Sequence, residues 1–212
     1  MKKHLGLLLV IFSIISINFL CGDTLFDMVR EKYRQVYSLH GNFYQTICSE
    51  NYGTCQEFSG KFYILRPYYT RLEVASPQRQ LIISDSLNLY IYLIDQKRIY
   101  EQSSELSYNF FKLFDAFMNE SQRVIKRNEE DGLVYYTCVN PKDSLNLSST
   151  VSFENFVFGI NKKSKLIEAF SFVTPSSDEV TFKLSALKVN EKIPRKMFLF
   201  KIPQGVEVIK LK

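Results

Sequence analysis

Four short apolar runs follow one another from Gly60 onward: Phe62–Leu65, Tyr69–Val74, Leu81–Ile83 and Leu89–Leu93. Pro67, Ser76-Pro77 and Asp85-Ser86 separate them. Proline cannot donate to a strand ladder, so it marks the end of a strand rather than its middle. Gaps this short hold no crossover helix, so the runs are expected to pair antiparallel, as a meander. Thr70–Val74 alternates as a sheet with one wet face does. Leu89–Leu93 does not: Leu89, Ile91 and Leu93 share one face while Tyr90 and Tyr92 take the other. Two architectures account for that, a sandwich or helix-covered sheet, and a sheet curved around an apolar cavity with a removable cover.

The chain begins with Lys2-Lys3-His4 and the apolar run Leu5–Ile17. A basic start followed by a short apolar core reads as a secretory signal, and the run falls short of the roughly 20 residues that span a bilayer. Residues 1–22 are therefore expected to be a signal peptide and 23–212 one domain. Gly22 is a candidate for the residue before the cut. Cys21 offers the alternative of a lipid-modified N-terminus, which anchors the chain to a membrane. Setting aside Lys2 and Lys3, with no acid in the first 22 residues, takes the net charge from +5 to +3. That balance is too small and dispersed for a nucleic-acid binder.

Export places the cysteines where disulfides persist. Cys48 and Cys55 flank Ser-Glu-Asn-Tyr-Gly-Thr, which looks like a hairpin tip, and a disulfide there is expected. No histidine lies nearby to complete a metal site, and none is expected. Cys138, within Leu-Val-Tyr-Tyr-Thr-Cys-Val, reads as a buried strand thiol.

Phe26, Val29, Tyr33 and Val36/Tyr37 give a helix over Thr24–Leu39, stopped by His40-Gly41. Strands are expected at Asn42–Ile47, Glu57–Leu65, Arg98–Glu101 and Leu133–Asn140. Val151–Phe158 and Leu166–Val173 form a hairpin around Asn161-Lys162-Lys163. Val180–Val189 is a further strand, with Val180, Phe182, Leu184 and Ala186 on one face. Arg123–Asp131 reads as a charged loop. Phe198-Leu199-Phe200 and Val206–Ile209 close the chain around Pro203-Gln204-Gly205. In Tyr108–Met118, Phe110, Leu113, Phe114 and Phe117 share one helical face, which suits an ordinary core helix or a lid over a cavity. The 18 Phe and 13 Tyr suit both strands and pocket walls. Beyond residue 22 only His40 remains as a histidine, and no nucleophile, phosphate or metal motif appears. Asp85-Ser86 is a tight turn. The chain reads as a binding protein rather than an enzyme, with no cofactor.

The run G-K-F-Y-I-L-R-P-x-x-x-R-L-E from Gly60, then P-x-x-Q-L-I-I-S-D from Pro77 and L-x-I-Y from Leu89, resembles the periplasmic outer-membrane lipoprotein carriers, the LolA family. The ending F-x-F-x-x-P-x-G-V, from Phe198 to Val206, is similar to the family's close. The family often has Trp where Leu72 and Tyr90 stand. The resemblance implies an incomplete, strongly curved antiparallel β-barrel, here of about 10–11 strands, with α-helices covering the cavity as a lid. It implies a periplasmic carrier, expected to be a monomer. Such a carrier takes acylated lipoproteins from an inner-membrane ABC transporter and passes them to an outer-membrane lipoprotein receptor. Membrane-anchored receptors share the fold, and Cys21 keeps that alternative, or a lipoprotein-binding interaction module, open. Arg66 matches the family arginine that latches the lid. The expected cavity and lid residues are Phe62, Ile64, Leu72, Leu89, Ile91, Phe110, Leu113, Phe114, Phe117 and Phe182.

Overall fold

A computed structural model of the chain describes residues 24–67, 69–85, 87–103, 123–139, 155–174 and 176–211. One helix, α1 (Thr24–Arg34), precedes the strands. These are β1 (Ser38–Ser49), β2 (Thr54–Leu65), β3 (Tyr69–Ser76), β4 (Gln80–Ser84), β5 (Asn88–Leu93), β6 (Arg98–Ser103), β7 (Arg123–Glu130), β8 (Leu133–Val139), β9 (Asn155–Asn161), β10 (Ile167–Val173), β11 (Asp178–Val189) and β12 (Glu207–Lys210). They form a single sheet in the order β12-β6-β5-β4-β3-β2-β1-β11-β10-β9-β8-β7, whose two ends do not pair with each other. The architecture is therefore mainly β, an open curled sheet, with twelve strands among the described residues where about 10–11 were expected. Every neighbouring pair is antiparallel except β12 with β6.

β1 is the centre of this order. β2–β6 run away from it as the expected meander, and β11 back to β7 build the other wing. The face that carries α1 is called the inner face. α1 buries Phe26, Val29 and Tyr33, which recur at helical spacing. Asp27 in its first turn and Lys32 and Arg34 in its last suit the helix dipole. The phenol oxygen of Tyr33 accepts the backbone N–H of Ile167 at 2.9 Å, and Lys32 Nζ donates to the Ser164 carbonyl at 2.9 Å. Phe26 lies 5.0 Å from Tyr136, ring centre to ring centre. The helix thus packs on the β8–β11 wing.

Five expectations are corrected. α1 stops at Arg34, not Leu39. The Asn190 side chain takes over the backbone there, accepting from Tyr37 N–H at 2.8 Å and donating to the Gln35 carbonyl at 3.3 Å. His40-Gly41 is accordingly part of β1 rather than a helix stop. The charged segment from Arg123 is strand β7, not a loop. It is an exposed edge whose pairing with β8, rather than any alternation, makes it a strand. Charges on an edge discourage further pairing. Phe198-Leu199-Phe200 is not a strand: a 3-10 turn, Arg195–Phe198, leads into irregular chain, and β12 joins β6 in parallel instead of closing a hairpin. In β11 the buried series Val180, Phe182, Leu184 does not continue to Ala186, which is exposed with φ 51°. A bulge opposite Gly41 puts one extra residue into β11, and Leu187 and Val189 pack on the core instead.

The double apolar face of Leu89–Leu93 has a specific cause. The segment after β11 crosses the outer face of β3 to β5. Phe198 is fully buried against Tyr69, with ring centres 5.7 Å apart, and Phe200 lies 4.9 Å from Tyr90 and 6.2 Å from Tyr92. Arg71 Nη1 donates to the Met197 carbonyl at 3.0 Å. Tyr90 and Tyr92 are apolar for this strap, while Leu89 and Ile91 are apolar for the inner face.

Candidate functional site

Residues directly opposite across a ladder share a face, so the register assembles the site. One inner-face row runs Phe62, Leu72, Ile82, Ile91 across β2 to β5. A second runs Ile64, Thr70, Ser84, Leu89. A third runs Phe43, Gly60, Val74, Gln80, Leu93. Extending the period of two along β1 to β5 finds no charged side chain on this face. Glu57, Lys61, Arg71 and Glu73, the charges of the same stretch, all point to the outer side. Phe62, Ile64 and Leu89 are buried, whereas Leu72, Ile82 and Ile91 are half-buried.

On the other wing Phe182 stacks on Phe170, with ring centres 4.6 Å apart and planes 17° from parallel. Phe170 pairs onward with Phe158, and Phe158 with Tyr136. Phe62, Ile64, Leu72, Leu89, Ile91 and Phe182 therefore lie on one face. Val74, Ile82, Phe158 and Phe170 join them. Sequence reasoning missed these four, although carrying the two-residue period through each antiparallel partner reaches them. Phe110, Leu113, Phe114 and Phe117 lie outside the described residues.

Arg66 stands at the end of β2. Its backbone N–H donates to the Tyr37 carbonyl at 2.9 Å, and its Nη2 donates to the Tyr33 carbonyl at 3.2 Å. The guanidinium thus reaches the last turn of α1, sharing the Tyr33 carbonyl with the backbone N–H of Val36, which donates to it at 3.2 Å. Thr70 and Ser84 are the buried hydroxyls of the second row, on the strands just beyond it. Burial holds the Tyr33 phenol well above its ordinary value, against the opposing effect of the Ile167 N–H. Burial also pushes the Cys138 thiol up to about 12, with the nearby Arg30 charge opposing.

Cys48 and Cys55 face each other at the hairpin tip, their Cα atoms 4.1 Å apart and their sulfurs joined. Among the described residues no three His, Cys, Asp or Glu side chains cluster as a metal site would. Two grooves carry charge. One of about 660 Å³ is lined in part by Lys61, Arg71, Glu73 and Arg79 together with Phe43, Gly60, Val74 and Gln80 of the third row. The other, of about 540 Å³, is lined in part by Tyr135, Lys162, Glu168 and Lys183. Both present charge, unlike the inner face of β1 to β5.

Comparison with known proteins bears on this arrangement. An outer-membrane lipoprotein carrier protein of Legionella pneumophila (strain Paris) is 26% identical over 219 residues, covering 99% of this chain and 100% of that protein. The protein of the same name from Psychromonas ingrahamii is 27% identical and covers 98% of each. A solved structure, an uncharacterized conserved protein from Thermus thermophilus, shares the fold with a TM-score of 0.53 at 11% identity, covering 88% of this chain and 97% of that one. Residues 34–201 match the family model described as outer membrane lipoprotein carrier protein LolA, and the chain belongs to that family.

Proposed function

We propose that this chain is a periplasmic carrier that holds the acyl chains of lipoproteins released from the inner membrane and delivers them to the outer membrane. The observation that carries this reading is the inner face of β1 to β5, free of charge over three rows and apolar in all of their side chains except Thr70, Ser84 and Gln80. Hiding a 16-carbon acyl chain removes roughly 12 kcal/mol of exposure, at about 0.8 kcal/mol per CH₂. A face with half-buried Leu72, Ile82 and Ile91 is suited to take it, and a buried charge there would oppose it.

In this reading Tyr108–Met118 is the lid, with Phe110, Leu113, Phe114 and Phe117 filling the cavity when cargo is absent. Opening exchanges protein contacts for acyl contacts, so the two nearly cancel and affinity stays low enough for onward transfer. Arg66 biases the closed state. Its reach to the Tyr33 carbonyl supports a role in fastening helical segments over the inner face. The partners are acylated lipoproteins, an inner-membrane transporter that loads the carrier and an outer-membrane receptor that unloads it. The carrier itself performs no bond chemistry and uses no cofactor.

Photo-crosslinking from single positions tests the site. A probe at Leu72 or Ile91 is expected to capture acylated cargo, and one at Lys61, on the opposite face, is not. Equal capture from both faces, or none from the inner one, overturns the assignment.

A further inference from the structure

The strap that crosses the outer face has two unlike sides. Lys192–Val206 contains Lys192, Arg195, Lys196 and Lys201 and no acid. Its flanking acids are already engaged: Glu191 with His40 at 3.0 Å, and Glu207 with Arg98 at 2.8 Å. Ile193 and Phe198 are buried and Phe200 rests on Tyr90, so these three side chains hold the strap to the sheet. Arg195 folds back over the Tyr69 ring, 4.8 Å from its centre. Leu199 is extended (φ −85°, ψ 114°), between the inward Phe198 and Phe200, which sends Leu199 and Lys201 outward. Leu199 is 62% exposed and Ile202 50%. Lys192, Lys196 and Lys201 are exposed too, and none forms an ion pair among the described residues. The outward side thus combines two large aliphatic side chains with three lysines.

We propose that this outward side is a docking site for an anionic phospholipid surface. The lysines sit among the headgroups while Leu199 and Ile202 enter the interface. Juxtaposed lysines and aliphatics are what such a surface rewards. A protein partner is less well matched, because protein interfaces are enriched in aromatics and arginine and depleted in lysine. Here the strap's aromatics, its arginine and Ile193 turn inward, and its lysines, Leu199 and Ile202 turn out. Three lysines and two aliphatic side chains make a weak, reversible attachment, sensitive to salt because the charges are exposed. The inference stands whether or not the inner face carries acyl chains.

The test is co-sedimentation of the chain from Asp23 onward with phosphatidylcholine vesicles made with and without phosphatidylglycerol. The parent is expected to bind the anionic vesicles and to leave them as salt is raised. Lys196→Gln and Lys201→Gln are each expected to weaken binding roughly fivefold. Leu199→Ser with Ile202→Ser is expected to weaken it further while leaving the thermal melt unchanged. Equal binding to both vesicle types, no binding at low salt, or variants that bind like the parent would overturn the proposal. Variants that bind vesicles normally but fail to pass cargo to a receptor would overturn it too, and assign the face to an acidic protein partner.

Discussion

Gly60→Ala is expected to be among the most damaging single-methyl additions in this chain. Gly60 lies in β2 at a register irregularity, opposite Val74 of β3 and Phe43 of β1. A methyl built there lies 2.0 Å from the Glu73 carbonyl oxygen and 3.0 Å from the Val74 Cα. Both neighbours are backbone, so no side chain can swing away. Real Cβ atoms essentially never come within 3.0 Å of such a group, so β2 and β3 must part by at least the missing 1.0 Å. A ladder bond of about 2.9 Å stretched by that much is no longer a bond. Losing the two nearest bonds at about 1 kcal/mol each, with some cost for the groups left unpaired, amounts to about 3 kcal/mol. For a domain of this size that lowers Tm by roughly 6–12 °C. Urea melts of Gly60→Ala, Gly53→Ala and Gly132→Ala separate sterics from backbone preference. Gly53 and Gly132 have φ of 61° and 79° and nothing within 4 Å of the added methyl. They are expected to lose only about 1–2 kcal/mol, from the left-handed conformation alone. A Gly60→Ala loss below about 1 kcal/mol, or no larger than the other two, would refute the close-approach reasoning.

Three further outcomes are expected. Tyr33→Phe strips the Ile167 N–H of its acceptor in a buried site and is expected to cost about 1–3 kcal/mol. Hydrogen exchange at the Ile167 amide reads it directly, and unchanged protection counts against the contact. Folded Cys138 keeps its proton to about 12, whereas an unfolded cysteine loses it near about 8.5. Its contribution is therefore complete below that lower value and falls as pH rises toward the upper one, by up to about 1.4 kcal/mol per pH unit. Urea midpoints from pH 8 upward are expected to fall more steeply for the parent than for Cys138→Ala, and parallel profiles would refute this. Arg66→Leu is expected to bind acylated cargo but release it poorly to an acceptor, as measured by cargo transfer. Normal release would remove the latch role and leave Arg66 as a structural residue at the end of β2.

The meander from Phe62 to Leu93 was legible because Pro67, Pro77 and Asp85 cut it into runs too short for anything but antiparallel neighbours. That Leu89, Ile91 and Leu93 share one face followed from the period of two, whereas Phe62 and Leu72 were expected at the cavity through the family resemblance. The residues that escaped depend on contacts distant in sequence. Nothing near Arg123 signals a strand, because β7 exists only through β8. The end of α1 is set by Asn190, more than 150 positions away. The strap could not be told from a closing hairpin, since Phe198 and Phe200 alternate as a strand would and only their seats on Tyr69 and Tyr90 distinguish it. The bulge in β11 shifts the phase at Ala186 with no glycine or proline in β11 itself; the glycine at the irregularity, Gly41, lies on β1.

The most direct test of the carrier account is a release assay on spheroplasts. The purified chain from Asp23 onward is added while lipoproteins are being made, with a transporter from the same organism in the membrane. The account predicts newly made lipoproteins leaving the membrane as soluble one-to-one complexes with this chain. Lipoproteins that stay in the membrane, with that transporter active, would contradict it.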